Sequence, residues 1–138
     1  MTAAQVEELV TDGELTWVDV CRLDDLAPER GAAALVGGDQ VALVRLLDDR
    51  VLAVQQLDPF CGAYVMSRGI VGSRSVDGAD VPTVASPMYK QVFDLTTGRC
   101  LDAVGKQPVD LRTWPVRVVA GSVQVGVTAG SVAVGGAG

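Results

Sequence analysis

Two short segments are the places where this sequence could hold something: Asp58-Pro59-Phe60-Cys61-Gly62-Ala63 and Ser86-Pro87-Met88-Tyr89-Lys90. Each has a proline directly after its first residue, and proline fixes φ, so each reads as a rigid loop. Yet the residues that usually do chemistry are scarce. The chain has no histidine, which removes the commonest general base and the commonest metal ligand together. Ser-His-Asp and Cys-His catalysis are excluded, as is any histidine-bearing zinc or iron site. The three cysteines, Cys21, Cys61 and Cys100, have no disulfide or zinc pattern and read as small hydrophobes. Asp24, Asp25, Asp48 and Asp49 lack the alternating ligands of a calcium loop. Gly69, Gly72 and Gly78 lack the strand–helix context of a phosphate site. Arg68, Arg74 and Arg99 read as solvated surface. No catalytic, cofactor-binding or metal-binding residue follows from residue types alone.

The elements that must position the two segments are short strands. The chain has 138 residues and a net charge of −6. One domain of this size buries about 70% of its unfolded surface and needs no metal or disulfide to fold. The acidic balance and the absence of a basic run argue against nucleic acid, whose affinity comes mainly from phosphate neutralisation. No apolar run approaches the roughly 20 residues that span a bilayer, and the N-terminal segment, with Glu7 and Glu8, does not read as a signal peptide. The expectation is a cytoplasmic protein.

Residues 1–14 read as a mobile arm, with Thr2 able to cap a short helix through Val10. Thr16–Cys21 alternates like a half-buried strand. Ala33–Val36 and Val41–Leu46 read as a hairpin, followed by a turn at Asp48-Asp49-Arg50 and a strand at Val51–Gln55. Ser67–Asp80 has no clear period. Short strands are expected at Thr83–Ala85 and Gln91–Asp94, a tight turn at Thr96-Thr97-Gly98, a polar link after Cys100 running to Pro108, and a last hairpin of Val116–Val119 with Val123–Val127. Residues 129–138 read as a flexible tail. The expected architecture is an all-β antiparallel sandwich or barrel over residues 15–128.

The two loops and the segments flanking them resemble a Rieske domain. Such domains hold a two-iron cluster with Cys-x-His in one loop and Cys-x-x-His in the other. Gly62-Ala63, Gly69, Gly72, the Phe93-Asp94-Leu95-Thr96-Thr97-Gly98 run and Trp114-Pro115-Val116-Arg117-Val118 match the surrounding pattern. The resemblance makes residues 56–99 a former cluster-binding subdomain. By position, however, the four ligands fall on Asp58, Phe60, Ser86 and Tyr89. A Rieske pair needs two thiolates and two imidazoles, so no [2Fe–2S] cluster is expected. The run Ser86-Pro87-Met88-Tyr89-Lys90-Gln91-Val92-Phe93-Asp94-Leu95 is similar to one branch of the family, the small subunits of assimilatory NAD(P)H-dependent nitrite reductases. That likeness implies a cofactor-free subunit partnering a large subunit that carries FAD, sirohaem and a 4Fe–4S cluster. The alternative is a free-standing Rieske-like interaction or ligand-binding module.

The resemblance sets two expectations for the loops. Asp58, Phe60, Ser86 and Tyr89 should fill the former cluster volume as a polar and aromatic plug, with Lys90 neutralising Asp58. The loop tips should present Phe60, Tyr64, Met66, Met88, Tyr89 and Lys90 to the large subunit, because exposed aromatic and methionine side chains are typical of interface centres.

Overall fold

The computed structural model describes residues 10–12 and 15–128. Among the described residues, twelve strands form three four-stranded sheets, and every named pairing is antiparallel. The first sheet has the order β1-β2-β12-β11, with β1 at Val10–Asp12, β2 at Leu15–Arg22, β12 at Ser122–Thr128 and β11 at Val116–Val119. The second runs β10-β5-β4-β3, at Thr113–Trp114, Val51–Gln55, Asp39–Arg45 and Gly31–Val36. The third runs β6-β7-β8-β9, at Ile70–Val76, Ala79–Ala85, Val92–Asp94 and Cys100–Asp102.

The second sheet is the middle layer, and its sequence shows why. Val41, Ala42, Leu43 and Val44 on β4 are all buried, and side chains alternate between the two faces of a strand. Val41 and Leu43 join Val20, Trp114, Val123 and Val125 in one core. Ala42 and Val44 join Met66, Val84, Phe93, Leu95 and Leu111 in a second core. An uninterrupted apolar run is what a strand buried on both faces requires. The second core lies between the middle layer and the loop-bearing third sheet, so it anchors both loops.

Three differences from the sequence reading have clear causes. Val10–Asp12, placed above in an arm, pairs with Leu15–Trp17 as an edge strand; the remaining arm residues and the tail, 129–138, lie outside the described residues. The aperiodic stretch from Ser67 holds β6, which forms a seven-pair hairpin with β7. Its residues are mostly exposed, so no buried face imposes a period. The hairpin closes through Asp77-Gly78 at φ of 52° and 84°, the positive pair that a two-residue turn with the right twist needs. Finally, β9 at Cys100–Asp102 runs into what reads from sequence as a polar link after Cys100, and it pairs with β8 across an irregular register.

Candidate functional site

The first loop leaves β5 and tightens at once around Asp58. The Asp58 N–H donates to the Ala63 carbonyl at 2.8 Å, and the Gly62 N–H donates to the Asp58 carbonyl at 2.8 Å. Asp58 Oδ1 accepts the N–H groups of Phe60 at 2.8 Å and Cys61 at 3.4 Å. This is the local side-chain-to-backbone pattern that makes aspartate a turn starter. The second loop repeats the design with a serine. The Ser86 N–H donates to the Gln91 carbonyl at 2.9 Å, and the Lys90 N–H donates to the Ser86 carbonyl at 3.1 Å. Ser86 Oγ accepts the Met88 N–H at 3.2 Å.

The two turn starters also hold each other. The Ser86 hydroxyl donates to Asp58 Oδ2. Both side chains are withdrawn from solvent, Asp58 at 0% and Ser86 at 1% exposure. Phe60 is half-buried, its ring 6.1 Å from that of fully buried Phe93. Three of the four former ligand positions therefore tie the loops to one another and to the second core.

The remaining plug expectations need correction. Tyr89 is 53% exposed, and its hydroxyl makes no hydrogen bond to Asp58 or Ser86. Lys90 makes no ion pair with Asp58; Asp58 meets its needs through Phe60, Cys61 and Ser86 instead. Lys90 sits at φ 65°, the left-handed conformation that ends the second loop. Met66 does not reach the tip. It is 1% exposed and packs with Val84 and Phe93, because a single 3-10 turn, Met66–Arg68, folds it under the loop. Tyr64 and Met88 are at the surface, at 54% and 50% exposure.

The sequence reading missed Gln56. Its carboxamide Nε2 donates to the Tyr64 carbonyl at 3.2 Å and to Ser67 Oγ at 2.9 Å, while its Oε1 accepts the Ser67 N–H at 2.7 Å. Gln56 thus staples the two ends of the first loop from beneath. The signal was a polar residue shortly after the apolar strand Val51–Val54. Asp94 does the same for the turn after the second loop, accepting the Thr96 N–H at 2.7 Å through Oδ1.

The donor set does not fit a [2Fe–2S] cluster. Asp58 and Ser86 are engaged with each other, Phe60 has no donor atom, and Tyr89 stands half exposed outside the clasp. Among the described residues, no group of three His, Cys, Asp or Glu side chains could hold a metal ion. Cys21 and Cys100 are poor substitutes for thiolate ligands. Burial, with Asp25 beside it, pushes the Cys21 thiol up to about 11, and burial also raises that of Cys100. Among the described residues, no helix is long and apolar enough to cross a membrane.

Three layers of antiparallel sheet with two proline-bearing loops clasped over one core define the class of a Rieske-like domain, here with altered ligand positions. The model of the Rieske-like [2Fe-2S] domain family matches residues 16–126. The nitrite reductase (NADH) small subunit of Escherichia coli K12 is 36% identical over 110 residues, 79% of this chain and 95% of that protein. A Mycobacterium tuberculosis protein crystallised as a candidate NADH-dependent nitrite reductase small subunit superposes with a TM-score of 0.73 at 46% identity, covering 83% of this chain and 97% of that one. The Klebsiella oxytoca nitrite reductase [NAD(P)H] large subunit contains a stretch 42% identical over 110 residues, 80% of this chain but 11% of that protein. The chain belongs to the nitrite reductase [NAD(P)H] small subunits of the Rieske-like family.

Proposed function

We propose that this chain is the small subunit of a cytoplasmic NAD(P)H-dependent nitrite reductase, which reduces nitrite to ammonium in nitrate assimilation. It acts by associating with the large subunit, the chain expected to carry FAD, sirohaem and a 4Fe–4S cluster. Electrons do not pass through a group held by this chain. The observation that carries this reading is the Asp58–Ser86 clasp: the loops keep the architecture of a cluster site but satisfy their polar groups with one another.

The clasp leaves an apolar, cationic tip as the contact surface. Tyr64, Met88 and Tyr89 are about half exposed, and Lys90 stands beside them. Phe60 backs them from its half-buried position. The exposed charges on residues 57–69 and 86–91 are Arg68 and Lys90, both positive on a chain of net charge −6. A complementary partner face is apolar with an acidic rim, since such pairing steers encounter and fixes register.

The test is co-purification of the tagged chain with its large subunit, before and after Tyr89→Ala combined with Lys90→Glu. Loss of the large subunit with the variant is expected, with a folded, iron-free small chain. Unchanged association sinks the assignment of the tip. Stoichiometric iron in the purified wild-type chain sinks the cofactor-free reading.

A further inference from the structure

Strand β6 is an outer strand of the third sheet, and among the described residues it pairs with β7 alone. In an antiparallel ladder each residue sends its N–H and C=O to one side, and successive residues alternate sides. On β7, the Pro82 carbonyl accepts the Leu95 N–H at 2.9 Å. Two pairs further on, the Ser86 N–H donates to the Gln91 carbonyl at 2.9 Å. Pro82, Val84 and Ser86 therefore turn towards β8, and Val81, Thr83 and Ala85 turn towards β6. Their register partners Arg74, Gly72 and Ile70 face back to them. Val71, Ser73 and Ser75 are left with three N–H and three C=O groups pointing out of the sheet. Pro82, opposite Ser73, has no N–H to offer β6, in keeping with this alternation.

An open edge of this kind is a template for a further strand, and proteins commonly blunt it with proline, lysine or a bulge. β6 has none of these. Its seven residues, Ile70–Val76, pair with β7 without a break in register, and Gly72, Ser73, Arg74 and Ser75 are all exposed. The edge begins at the root of the second loop. Ile70, 69% exposed, is paired with Ala85, directly before Ser86. Its charge has one sign, since Arg68 and Arg74 are the charged residues from Ser67 to Val76. Arg74 reaches Asp102 at 3.9 Å, with both side chains about half exposed. Such a pair is weak and leaves the guanidinium available.

We infer that an extended segment of the large subunit, bearing acidic side chains, adds to β6 as a fifth strand of the third sheet. The inference rests on the reading above that the chain partners a large subunit. Main-chain bonds from Val71, Ser73 and Ser75 supply the attachment, while Arg68 and Arg74 select the charge of the segment. The arginines disfavour a second copy of this chain. Antiparallel self-pairing about Ser73 would set the two Arg74 side chains diagonally across the new ladder, within reach of each other.

Amide hydrogen exchange, in the free chain and in its complex with the large subunit, reads this edge directly. The N–H groups of Val71, Ser73 and Ser75 should exchange rapidly in the free chain and about tenfold or more slowly in the complex. Those of Gly72 and Arg74, already bonded to β7, should change little. Unchanged exchange at the three outward amides in a formed complex overturns the inference and leaves the partnership standing; failure to form any complex overturns both. Slow exchange in the free chain that speeds up on dilution shows a second copy on the edge and also overturns the inference. Ser73→Pro supplies the second test. It removes a donor that β7 does not use, and an edge strand tolerates proline in that orientation. The variant should fold and bind the large subunit about tenfold more weakly, as expected for one or two lost hydrogen bonds. Full-strength binding by the folded proline variant overturns the inference.

Discussion

Ser86 donates its hydroxyl hydrogen to the carboxylate of Asp58 across 28 residues of chain, and both side chains are removed from solvent. Each also starts the turn of its own loop, so the bond couples two local structures that would otherwise be independent. Ser86→Ala leaves a buried carboxylate short of one partner. An orphaned buried polar group costs about 1–3 kcal/mol, more when charged. The expected result is a loss of that order in chemical denaturation, with an unchanged slope against denaturant. Asp58→Ala removes the acceptor of three donors at once and should cost more. If both variants matched the wild type within about 0.5 kcal/mol, the ordinary scatter of surface changes, the clasp would not hold the loops.

Gly98 ends the turn after the second loop at φ 80°. Its N–H donates to the Asp94 carbonyl at 2.7 Å, and its carbonyl accepts the Leu111 N–H at 2.7 Å. A Cβ here would run into the Leu111 carbonyl oxygen. Gly98→Ala therefore combines left-handed strain, about 1–2 kcal/mol for an L-residue, with a backbone collision. A fall in Tm of several degrees is expected. Gly37→Ala is the control: its φ is also positive, at 58°, but its Cβ would meet open space.

The sequence made the strands with one or two buried faces legible and concealed those with none. β4 announces itself because Val41–Val44 must be apolar to serve two cores. β6 is mostly exposed, and only the Asp77-Gly78 turn signals that it exists. The loops were legible from their prolines, and Asp58 and Ser86 from their positions in the family pattern. What the side chains do at the tip was less so. Met66 and Met88 are the same residue type, yet one folds under a 3-10 turn into the second core and the other stays at the surface. Lys90 does not pair with Asp58 because three donors already satisfy that carboxylate, a count visible only once the loop has folded.

Lys90 occupies the left-handed region at φ 65°, which non-glycine residues adopt at a cost. Lys90→Gly relieves that strain but loosens the unfolded chain, so its net effect on stability should lie within about 1 kcal/mol. Lys90→Val, β-branched and poorly tolerated at positive φ, should be clearly destabilising. The glycine variant thus separates two roles. It should keep the Tm while weakening capture of the large subunit. Wild-type capture by the glycine variant would show that the lysine contributes its backbone conformation and not its charge.

Cys21 gives the fold a dependence on alkaline pH. Burial, reinforced by the charge of Asp25, raises its thiol from 9.0 to about 11. The folded state therefore favours the protonated thiol. Below pH 9 the group is neutral in both folded and unfolded chains and contributes no pH dependence. As pH rises through 9 the unfolded chain releases a proton that the folded chain retains, so stability falls until the folded thiol also ionises near 11. Stability measured by denaturation at about pH 8 and about pH 10, on either side of the unfolded thiol's titration, should drop in the wild type and drop less in Cys21→Ala. The thiolate is the reactive form, so Cys21 should also be alkylated slowly in the native protein at the lower pH and rapidly once unfolded. Equal pH slopes in the wild type and Cys21→Ala would remove Cys21 as the source of the alkaline instability.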